Sequence, residues 1–385
     1  MFYRKFVKSI ITISVLLLLI MLSGCDYDAI LNGATFSNKT IAAGSNHSLF
    51  IDNDSSLFAW GNNRYGQLGN NTTNSSRSLV HVMNDVLSVS AGNRHTMAIR
   101  KDGSLWAWGN NEFGQLGDGT TVDRHLPVRI MNDVVYVYAG DIHTMAIKKD
   151  GSLWVWGANR FGQVGNGTTI NQHSPVHIMD NVIDVSGAGV VTMAVQADGR
   201  LWAWGFKDFD IFSDPLAEGR LYPVHIMNDV VRVSVSGQHA MAIKADGSLW
   251  GWGINESGQL GNGTTENSYE PTYIIDGVIR AMTHGWTTMA IRTDGSLWSW
   301  GDNFFYQLGD GTNIDRHNPM HVMSDVIAAS GATGYILALT SDGSLWIWGW
   351  LEYPLLRDGV YDHGYYLNYG RNLVPIKIRD NIKLP

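Results

Sequence analysis

The chain has 385 residues, of which 44% are hydrophobic, with 43 glycines, 15 tryptophans and a formal net charge of −8. This length and hydrophobic content are enough to bury a large core, which excludes an intrinsically disordered protein. The acidic balance, without a basic run after the first few positions, argues against a phosphate-binding surface, so no nucleic acid partner is expected.

Residues 1–24 have the pattern of a targeting segment. Three basic residues within the first eight positions are followed by the apolar run 10–22, which has the length of a signal peptide and is short for a membrane span. Leu22-Ser23-Gly24-Cys25 follows and resembles the lipobox of bacterial lipoproteins. The resemblance implies cleavage before the cysteine and a diacylglyceryl group on its thiol. The alternative is an uncleaved membrane anchor.

Cys25 is the only cysteine, so no disulfide can form within the chain. Two acyl chains hold a protein on a membrane where a single chain is marginal. We therefore expect an exported protein, anchored to the bacterial cell membrane through lipidated Cys25. Residues 25–37 have no strand pattern and are predicted to be a tether to one domain at 38–385.

A tetrapeptide of the form Trp-x-Trp-Gly recurs along the rest of the chain. Its copies begin at 58 (with Phe in place of the first Trp), 106, 154, 202, 250, 298 and 346, which is a constant 48-residue period. A period of this size in units of short strands is typical of a β-propeller blade. The repeat therefore predicts a ring of seven blades.

Each unit contains four predicted strands, which in the second copy cover 96–99, 105–108, 127–130 and 134–139. Asp102-Gly103, between the first two, is a strong hairpin signal because glycine accepts a positive φ. Alternate residues of a strand share a face, so both indoles of a copy are predicted to lie in the core. The fold class expected is an all-β, seven-bladed propeller with four-stranded blades.

The two ends of the repeat region are incomplete units. Near the C terminus, 375–378 and Asn381-Ile382 match the strand pattern but have no hairpin of their own, whereas 41–44 and 47–50 begin in the middle of a unit. We expect strands from both termini to complete one blade. Such closure removes the free sheet edges that promote aggregation.

The full motif, Trp-x-Trp-Gly-x-Asn-x-x-Gly-Gln-Leu-Gly followed by Pro-Val and Gly-x-x-His-Thr, resembles the repeat of the regulator of chromosome condensation (RCC1) family. The copies at 108–117 and 252–261 match it closely, and the resemblance covers about residues 38–384. It implies the propeller fold. Nucleotide exchange on a small GTPase, known in this family, is disfavoured because the chain is predicted to be exported and its even spacing leaves no room for a wedge-like insertion.

The repeated polar residues do not form a pattern that binds metal. The Asn/Gly-rich loops after each Trp-Gly lack the Asp-x-Asp-x-Asp-Gly…Glu spacing of calcium sites. The two histidine columns are spread around the ring and are expected to bond local backbone; they are His47, His95, His143 and His239, and His81, His177, His225 and His321. No metal or cofactor is therefore expected.

Two loops depart from the repeat, 206–222 in the fourth copy and 350–374 in the seventh, which carries an eight-residue insertion. Tyr, Trp and Arg dominate binding hot spots, and an irregular loop on a regular scaffold is a strong candidate for function. The predicted partner-binding residues are Trp350, Tyr353, Arg357, Tyr361, Tyr365, Tyr366, Tyr369, Arg371, Phe209 and Phe212. The alternatives are drift in a surface loop and an aromatic plug for the channel.

These features favour a monomeric, non-catalytic interaction module on an extracytoplasmic surface, with a protein or a glycan as partner. One alternative is an inhibitor of an extracellular enzyme such as a β-lactamase, a role that the family resemblance suggests by analogy.

A second alternative is a protein that binds or cleaves glycans, since aromatic platforms bind sugars and paired carboxylates can perform acid/base chemistry. Its non-repeated candidates are Asp208, Asp210, Asp214, Glu218, Glu352, Asp358, Asp362 and His363. They lie on two loops at nearly opposite sides of the predicted ring, whereas the mechanism needs carboxylates within roughly 5–10 Å. We therefore expect no catalytic residues.

Overall fold

The computed structural model describes residues 39–206, 220–332, 334–352, 371–380 and 382. Within these ranges the protein is all-β, with 28 strands in seven antiparallel sheets of four. Every sheet is built from four strands that follow one another in the chain. The predicted seven-bladed propeller with four-stranded blades is therefore confirmed.

The blades share one order of strands: a first strand, two strands joined by a tight turn, and a longer fourth strand. The first three blades contain β1 (Ile41–Ala43), β2 (His47–Ile51), β3 (Leu57–Gly61), β4 (Ser76–Met83), β5 (Val86–Ala91), β6 (His95–Arg100), β7 (Leu105–Gly109), β8 (Arg124–Met131), β9 (Val134–Ala139), β10 (His143–Lys148), β11 (Leu153–Gly157) and β12 (Gln172–Met179).

The fourth and fifth blades contain β13 (Val182–Ala188), β14 (Val191–Gln196), β15 (Leu201–Gly205), β16 (Arg220–Met227), β17 (Val230–Val235), β18 (His239–Lys244), β19 (Leu249–Gly253) and β20 (Ser268–Ile275). The sixth and seventh contain β21 (Val278–His284), β22 (Thr287–Arg292), β23 (Leu297–Gly301), β24 (Arg316–Met323), β25 (Val326–Gly331), β26 (Tyr335–Thr340), β27 (Leu345–Trp350) and β28 (Arg371–Arg379).

The first strands of the blades form the innermost ring of the propeller. Each contacts the first strand of the next blade in the order β1, β5, β9, β13, β17, β21 and β25, and β25 contacts β1. The side chains at the centre of the ring therefore come from these seven strands.

The second tryptophan of each copy joins its blade to the preceding one. These residues are Trp60, Trp108, Trp156, Trp204, Trp252, Trp300 and Trp348, and each is at most 1% exposed. Trp108 packs with Leu49 and Leu57 of the first blade, and its indole Nε1 donates to the carbonyl oxygen of Gln67 at 2.9 Å. Burying one indole contributes roughly 4–6 kcal/mol from apolar area alone. This contact is therefore the main apolar link between blades.

The first tryptophan of each copy is only half-buried, so the two indoles do not share the core equally. Trp154 shows the arrangement: its Nε1 donates to the Ser152 hydroxyl at 3.0 Å, and His177 contacts the ring edge-on at 5.6 Å between centroids. His177 belongs to the exposed histidine column. This column therefore covers the blade flank.

The other histidine column links neighbouring blades, and the expectation that it bonds local backbone is wrong. The distances from Nε2 to a threonine hydroxyl of the next blade are 3.0 Å for His47–Thr96, 3.0 Å for His95–Thr144, 2.9 Å for His143–Thr192 and 2.7 Å for His239–Thr288. Thr144 donates its own proton to the carbonyl oxygen of Gln115 at 2.8 Å, so it accepts from His95. The backbone of the histidine strands is already paired within the blade, which leaves the imidazole to bond across the junction.

Burial keeps these imidazoles neutral. It lowers the pKa of His47 and His143 to about 4 and the pKa of His95 and His239 to about 3. The Nδ1 atoms of His47, His95 and His143 are buried without a hydrogen-bond partner, so a second ring proton has no acceptor there. Protonation of these rings therefore opposes the folded state.

Both chain ends take part in closing the ring, and among the described residues after β28 one residue, Ile382, bridges to the first blade. Ile382 pairs with Asp52, and its N–H donates to the carbonyl oxygen of Gly343 at 3.0 Å. In the second blade the equivalent position is occupied by Val86, the first residue of β5, which pairs with Arg100 and donates its N–H to the carbonyl oxygen of Ser55. The register shift after Val86 separates that residue from the rest of its strand, so the other chain end can supply it.

Side chains complete the same junction. Trp60 of the first blade lies in one hydrophobic cluster with Leu337 and Leu345 of the seventh. Tyr335, which takes the histidine position in the seventh blade, places its hydroxyl 2.8 Å from the Ser48 hydroxyl. The last junction therefore combines apolar packing with a bond to a hydroxyl group, as the four junctions with a histidine do.

A buried asparagine organises the loop after each regular Trp-Gly. The Asn111 side-chain oxygen accepts from the N–H of Leu116 at 3.0 Å, and its amide donates to Asp118 Oδ1 at 3.1 Å and to the carbonyl oxygens of Thr120 at 3.0 Å and Val122 at 3.1 Å. The equivalent residues are Asn63, Asn159, Asn255 and Asn303, and all are fully buried. One amide thus fixes both halves of each loop.

We expect Asn111→Leu to lower the free energy of unfolding by about 3 kcal/mol, because it leaves a buried N–H and two carbonyl oxygens without partners. Urea denaturation followed by tryptophan fluorescence measures the change. Asn74→Leu makes the same substitution at an exposed position and is expected to cost less than about 0.5 kcal/mol. Equal losses in the two variants would show that the buried amide does not organise the loop.

The buried histidines predict that stability falls in mild acid. A histidine of the unfolded chain titrates near pH 6.5, whereas the buried ones stay neutral until about pH 4 or 3. The unfolded state therefore binds more protons below pH 6.5, and stability decreases from there by up to about 1.4 kcal/mol per pH unit and histidine. Above pH 6.5 these groups contribute no pH dependence.

His95→Gln tests this linkage through urea midpoints measured between pH 7.5 and 4.5. We expect the variant to be less stable at pH 7.5 and to lose less stability than the wild type as the pH falls. His177→Gln, in the exposed column, is expected to keep the wild-type pH dependence. If all three proteins lose stability in parallel, the buried histidine is not the source of the acid sensitivity.

Candidate functional site

The loops between the third and fourth strands all leave the blades at one end of the propeller. The regular ones cover 62–75, 110–123, 158–171, 254–267 and 302–315, and the divergent ones begin at Phe206 and Trp350. We call this end the Asn-loop face, after the asparagines that fix the regular loops. The tight turns between the second and third strands lie at the opposite end.

The regular loops present large apolar side chains to solvent. The exposed fractions are 58% for Val122, 70% for Ile170, 59% for Ile314 and 69% for Phe304. The buried asparagine of each loop donates to the carbonyl oxygens of Val122, Ile170 and Ile314 at 3.1, 3.0 and 3.2 Å. These apolar groups are therefore held on fixed backbone, which limits the entropy lost on binding a partner.

Both divergent loops start with an aromatic residue that packs on the preceding blade. Phe206 contacts Phe161 with ring centroids 4.6 Å apart. Trp350 stacks on Phe305 at 5.5 Å and 24°, and Phe305 contacts the exposed Phe304 at 4.9 Å. The seventh loop therefore extends an aromatic row that starts on the sixth blade.

The divergent loops also lack the asparagine that fixes the others. Lys207 and Leu351 take its position in the sequence. Leu351 is 4% exposed and belongs to the cluster that holds Trp60. Leu351 therefore packs as an apolar side chain at this position and cannot make the hydrogen bonds that the asparagine makes to the regular loops.

Charged groups on the face are mostly neutralised locally. Arg124 Nε donates to Asp118 Oδ2 at 2.7 Å. Burial raises the pKa of Asp118, but hydrogen bonds from Thr120 and Arg124 outweigh it and hold that pKa below its usual value. Burial also raises the pKa of Asp302, opposed by the hydrogen bond from Gln307. The exposed apolar groups are thus the more prominent feature of the regular loops.

Most residues predicted from the sequence to bind a partner lie outside the described part of the chain. They are Tyr353, Arg357, Tyr361, Tyr365, Tyr366, Tyr369, Phe209 and Phe212, and Cys25 lies outside it as well. Trp350 is described and half-buried on Phe305. Arg371 begins β28, and its side chain is also outside the described part.

Sequence reasoning missed the exposed apolar residues of the regular loops. Val122, Ile170 and Ile314 fall at multiples of the repeat period, and Phe161 and Phe305 fall in a second such column. A column of large apolar residues inside a polar Asn/Gly loop was the available signal. The predicted binding residues came instead from the two loops that depart from the repeat.

The described residues contain no group of three or more His, Cys, Asp or Glu side chains placed to hold a metal ion. A search of the same residues for a helix long and apolar enough to cross a membrane found none.

Several solved structures resemble the chain. Human WBSCR16 matches with a TM-score of 0.71 at 22% identity, covering 79% of this chain and 87% of that chain. Prp20p of Saccharomyces cerevisiae matches with a TM-score of 0.73 at 18% identity, covering 92% and 90%. The yeast protein bound to Kap60 gives a TM-score of 0.73 at 18% identity, covering 92% and 87%. At these identities the likeness shows the fold alone.

A comparison with curated protein sequences found no match. The RCC1-like domain model matches residues 30–285, and the model of the regulator of chromosome condensation (RCC1) repeat matches residues 294–339. The first of these covers 256 (285 − 30 + 1) of the 385 residues. The chain therefore belongs to the RCC1-like domain family.

Proposed function

We propose that this protein is a lipid-anchored, extracytoplasmic and non-catalytic module that binds a protein partner through the Asn-loop face. The observation that carries the proposal is the set of large exposed apolar side chains, led by Phe304 and Ile170, on loops fixed by buried asparagines. Exposed apolar groups on rigid backbone are typical of binding surfaces, because their burial is favourable and little order is lost.

The aromatic row of the sixth and seventh blades is the proposed main contact of this surface. Trp350 and Phe305 stack, and Phe304 stands exposed beside them. Aromatic side chains dominate hot spots since they bury a large area at low entropic cost. The residues predicted from the sequence to bind a partner in the seventh loop follow Trp350 in the chain.

The relatives support a protein as the class of partner. The structure of Prp20p was described together with the binding of that protein to Gsp1p and histones, and a second structure contains it with Kap60. We take from them only that propellers of this family can present a protein-binding surface. The lipobox at Leu22-Ser23-Gly24-Cys25 supports an extracytoplasmic setting.

A benzophenone-bearing phenylalanine analogue at position 304 tests the surface in intact cells, with position 126 as the control because Leu126 is also exposed but lies on a fourth strand. We expect a discrete protein adduct from position 304 and none from 126. A glycan adduct, the same adduct from both positions, or no adduct would each contradict the proposal.

Once crosslinking has identified the partner, its affinity for variants of this protein gives the contribution of Phe304 to the free energy of binding. We expect Phe304→Ala to weaken binding at least tenfold, which is about 1.4 kcal/mol and within the range of a hot-spot residue. Leu126→Ala is the matched control and is expected to leave the affinity within about twofold. Similar losses in both variants would place the contact elsewhere.

Lipidation is tested by metabolic labelling with an alkyne fatty acid in a bacterial host. Since Cys25 is the only cysteine, Cys25→Ser is expected to abolish the label and to shift the protein out of the detergent phase. Ser23→Ala keeps the cysteine and is expected to retain the label. Label that persists in Cys25→Ser would refute lipidation at this residue.

A further inference from the structure

One position of the first strands carries titratable side chains in four consecutive blades. Two residues after the valine that starts each of these strands stand Tyr136, Asp184, Arg232 and Arg280, one in each copy of the repeat. Because the first strands form the innermost ring, these groups meet around the axis of the propeller. The repeat thus brings charges together that are far apart in the chain.

Lys39 joins the same group from the first blade. Its backbone is fixed against the second blade, where its N–H donates to the Ser88 hydroxyl at 3.0 Å and its carbonyl oxygen accepts from Val89 at 2.9 Å. Its ammonium nitrogen reaches the third blade, 5.0 Å from the ring centroid of Tyr136 and 4.5 Å from that of Tyr138. The side chain therefore extends from the edge of the first blade into the axial region.

We define the axial cluster as Lys39, Arg232 and Arg280 with Tyr136 and Tyr138. Asp184 is the carboxylate beside them, and its Oδ2 already accepts from the N–H of Val233 at 2.8 Å. Among the described residues, three cations are accompanied by two carboxylates, Asp184 and Asp141, which is an excess of 3 − 2 = 1 positive charge when all are ionised. The charge of Asp141 acts on Tyr138 and His284.

This excess is unfavourable in the protein alone. Burial lowers the pKa of Lys39 to about 8; Asp184 opposes the shift, and Arg280 and Arg232 add to it. Burial likewise lowers the pKa of Arg280, and repulsion from Arg232 contributes. Like charges held close together in a partly buried site cost free energy unless an anion accompanies them. In a chain of net charge −8, such a concentration of cations indicates a ligand of opposite sign.

We propose that the axial cluster binds a small anion that carries a phosphate group or several carboxylates. Guanidinium groups present paired N–H donors that match the oxygens of both anions, and the lysine adds a third charge. All five side chains are half-buried, so solvent reaches them, although they lie inside the ring. The site is separate from the Asn-loop face and independent of the partner proposed for that face.

The test is calorimetric titration of the full protein with inorganic phosphate and with citrate, at constant ionic strength set by chloride. We expect saturable binding of at least one of the two anions at a single site. Arg280→Gln is expected to weaken that binding at least tenfold. Arg77→Gln removes the same charge from an exposed position of β4 and is expected to leave the affinity unchanged. Binding of neither anion, or equal affinity in both variants, would overturn the proposal.

The affinity for citrate, measured at two pH values, tests whether the charge of Lys39 takes part in binding. A purely structural role of Lys39 would not make the affinity depend on pH. Citrate is fully ionised at pH 7.5 and 9.5, whereas Lys39 loses its proton between these values. Burial raises the pKa of Tyr136 and Tyr138 above the usual value of 10, so they stay neutral. Wild-type affinity is expected to fall at least threefold at pH 9.5, and Lys39→Gln is expected to lose that pH dependence. An unchanged pH dependence in Lys39→Gln would also overturn the proposal.

Melting temperatures measured without and with anion separate a loss of anion binding from a loss of stability in the variants. Because Arg280→Gln and Lys39→Gln each relieve repulsion between cations, both are expected to melt at or above the wild-type temperature without anion. Phosphate or citrate is then expected to raise the melting temperature of the wild type and of Arg77→Gln, but not of these two variants. A variant that melts lower without anion would contradict the excess of charge on which the proposal rests.

Discussion

The junction between neighbouring blades is the constraint on which the rest of the structure depends. Each junction has a buried indole, and in the described part of the chain five of these indoles donate from their nitrogen to a glutamine carbonyl oxygen, as Trp108 donates to Gln67. The same oxygen accepts from Thr96, which in turn accepts from His47 of the preceding blade. Apolar burial supplies most of the energy, and the polar chain fixes the angle at which one blade meets the next.

This constraint explains why many polar residues of types that are common in active sites have a structural role here. The buried histidines, threonines and loop asparagines are bonded across blades or within loops, as Asn111 and His95 illustrate. Their repetition follows from the repetition of the junction. What remains for function are the side chains outside these networks: the exposed apolar groups of the Asn-loop face and the unbalanced charges of the axial cluster.

The propeller assigns these two regions to different surfaces. The Asn-loop face lies at one end, on the loops that follow the third strand of each blade. The axial cluster lies on the first strands, whose spacing is set by the junctions. Variation at either place leaves the indole contacts untouched. One scaffold can therefore carry a partner surface and a ligand site without conflict between stability and function.

The sequence by itself determined the number of blades and their strands, because an unbroken period with paired tryptophans and Asp-Gly turns is a local pattern. It also indicated two divergent loops. The tertiary structure alone decided that His95 bonds the next blade and that Ile382 completes the first. It also decided that the Lys39 ammonium lies over the rings of Tyr136 and Tyr138. These contacts join residues far apart in the chain, so their distances depend on ring closure, which no local pattern encodes.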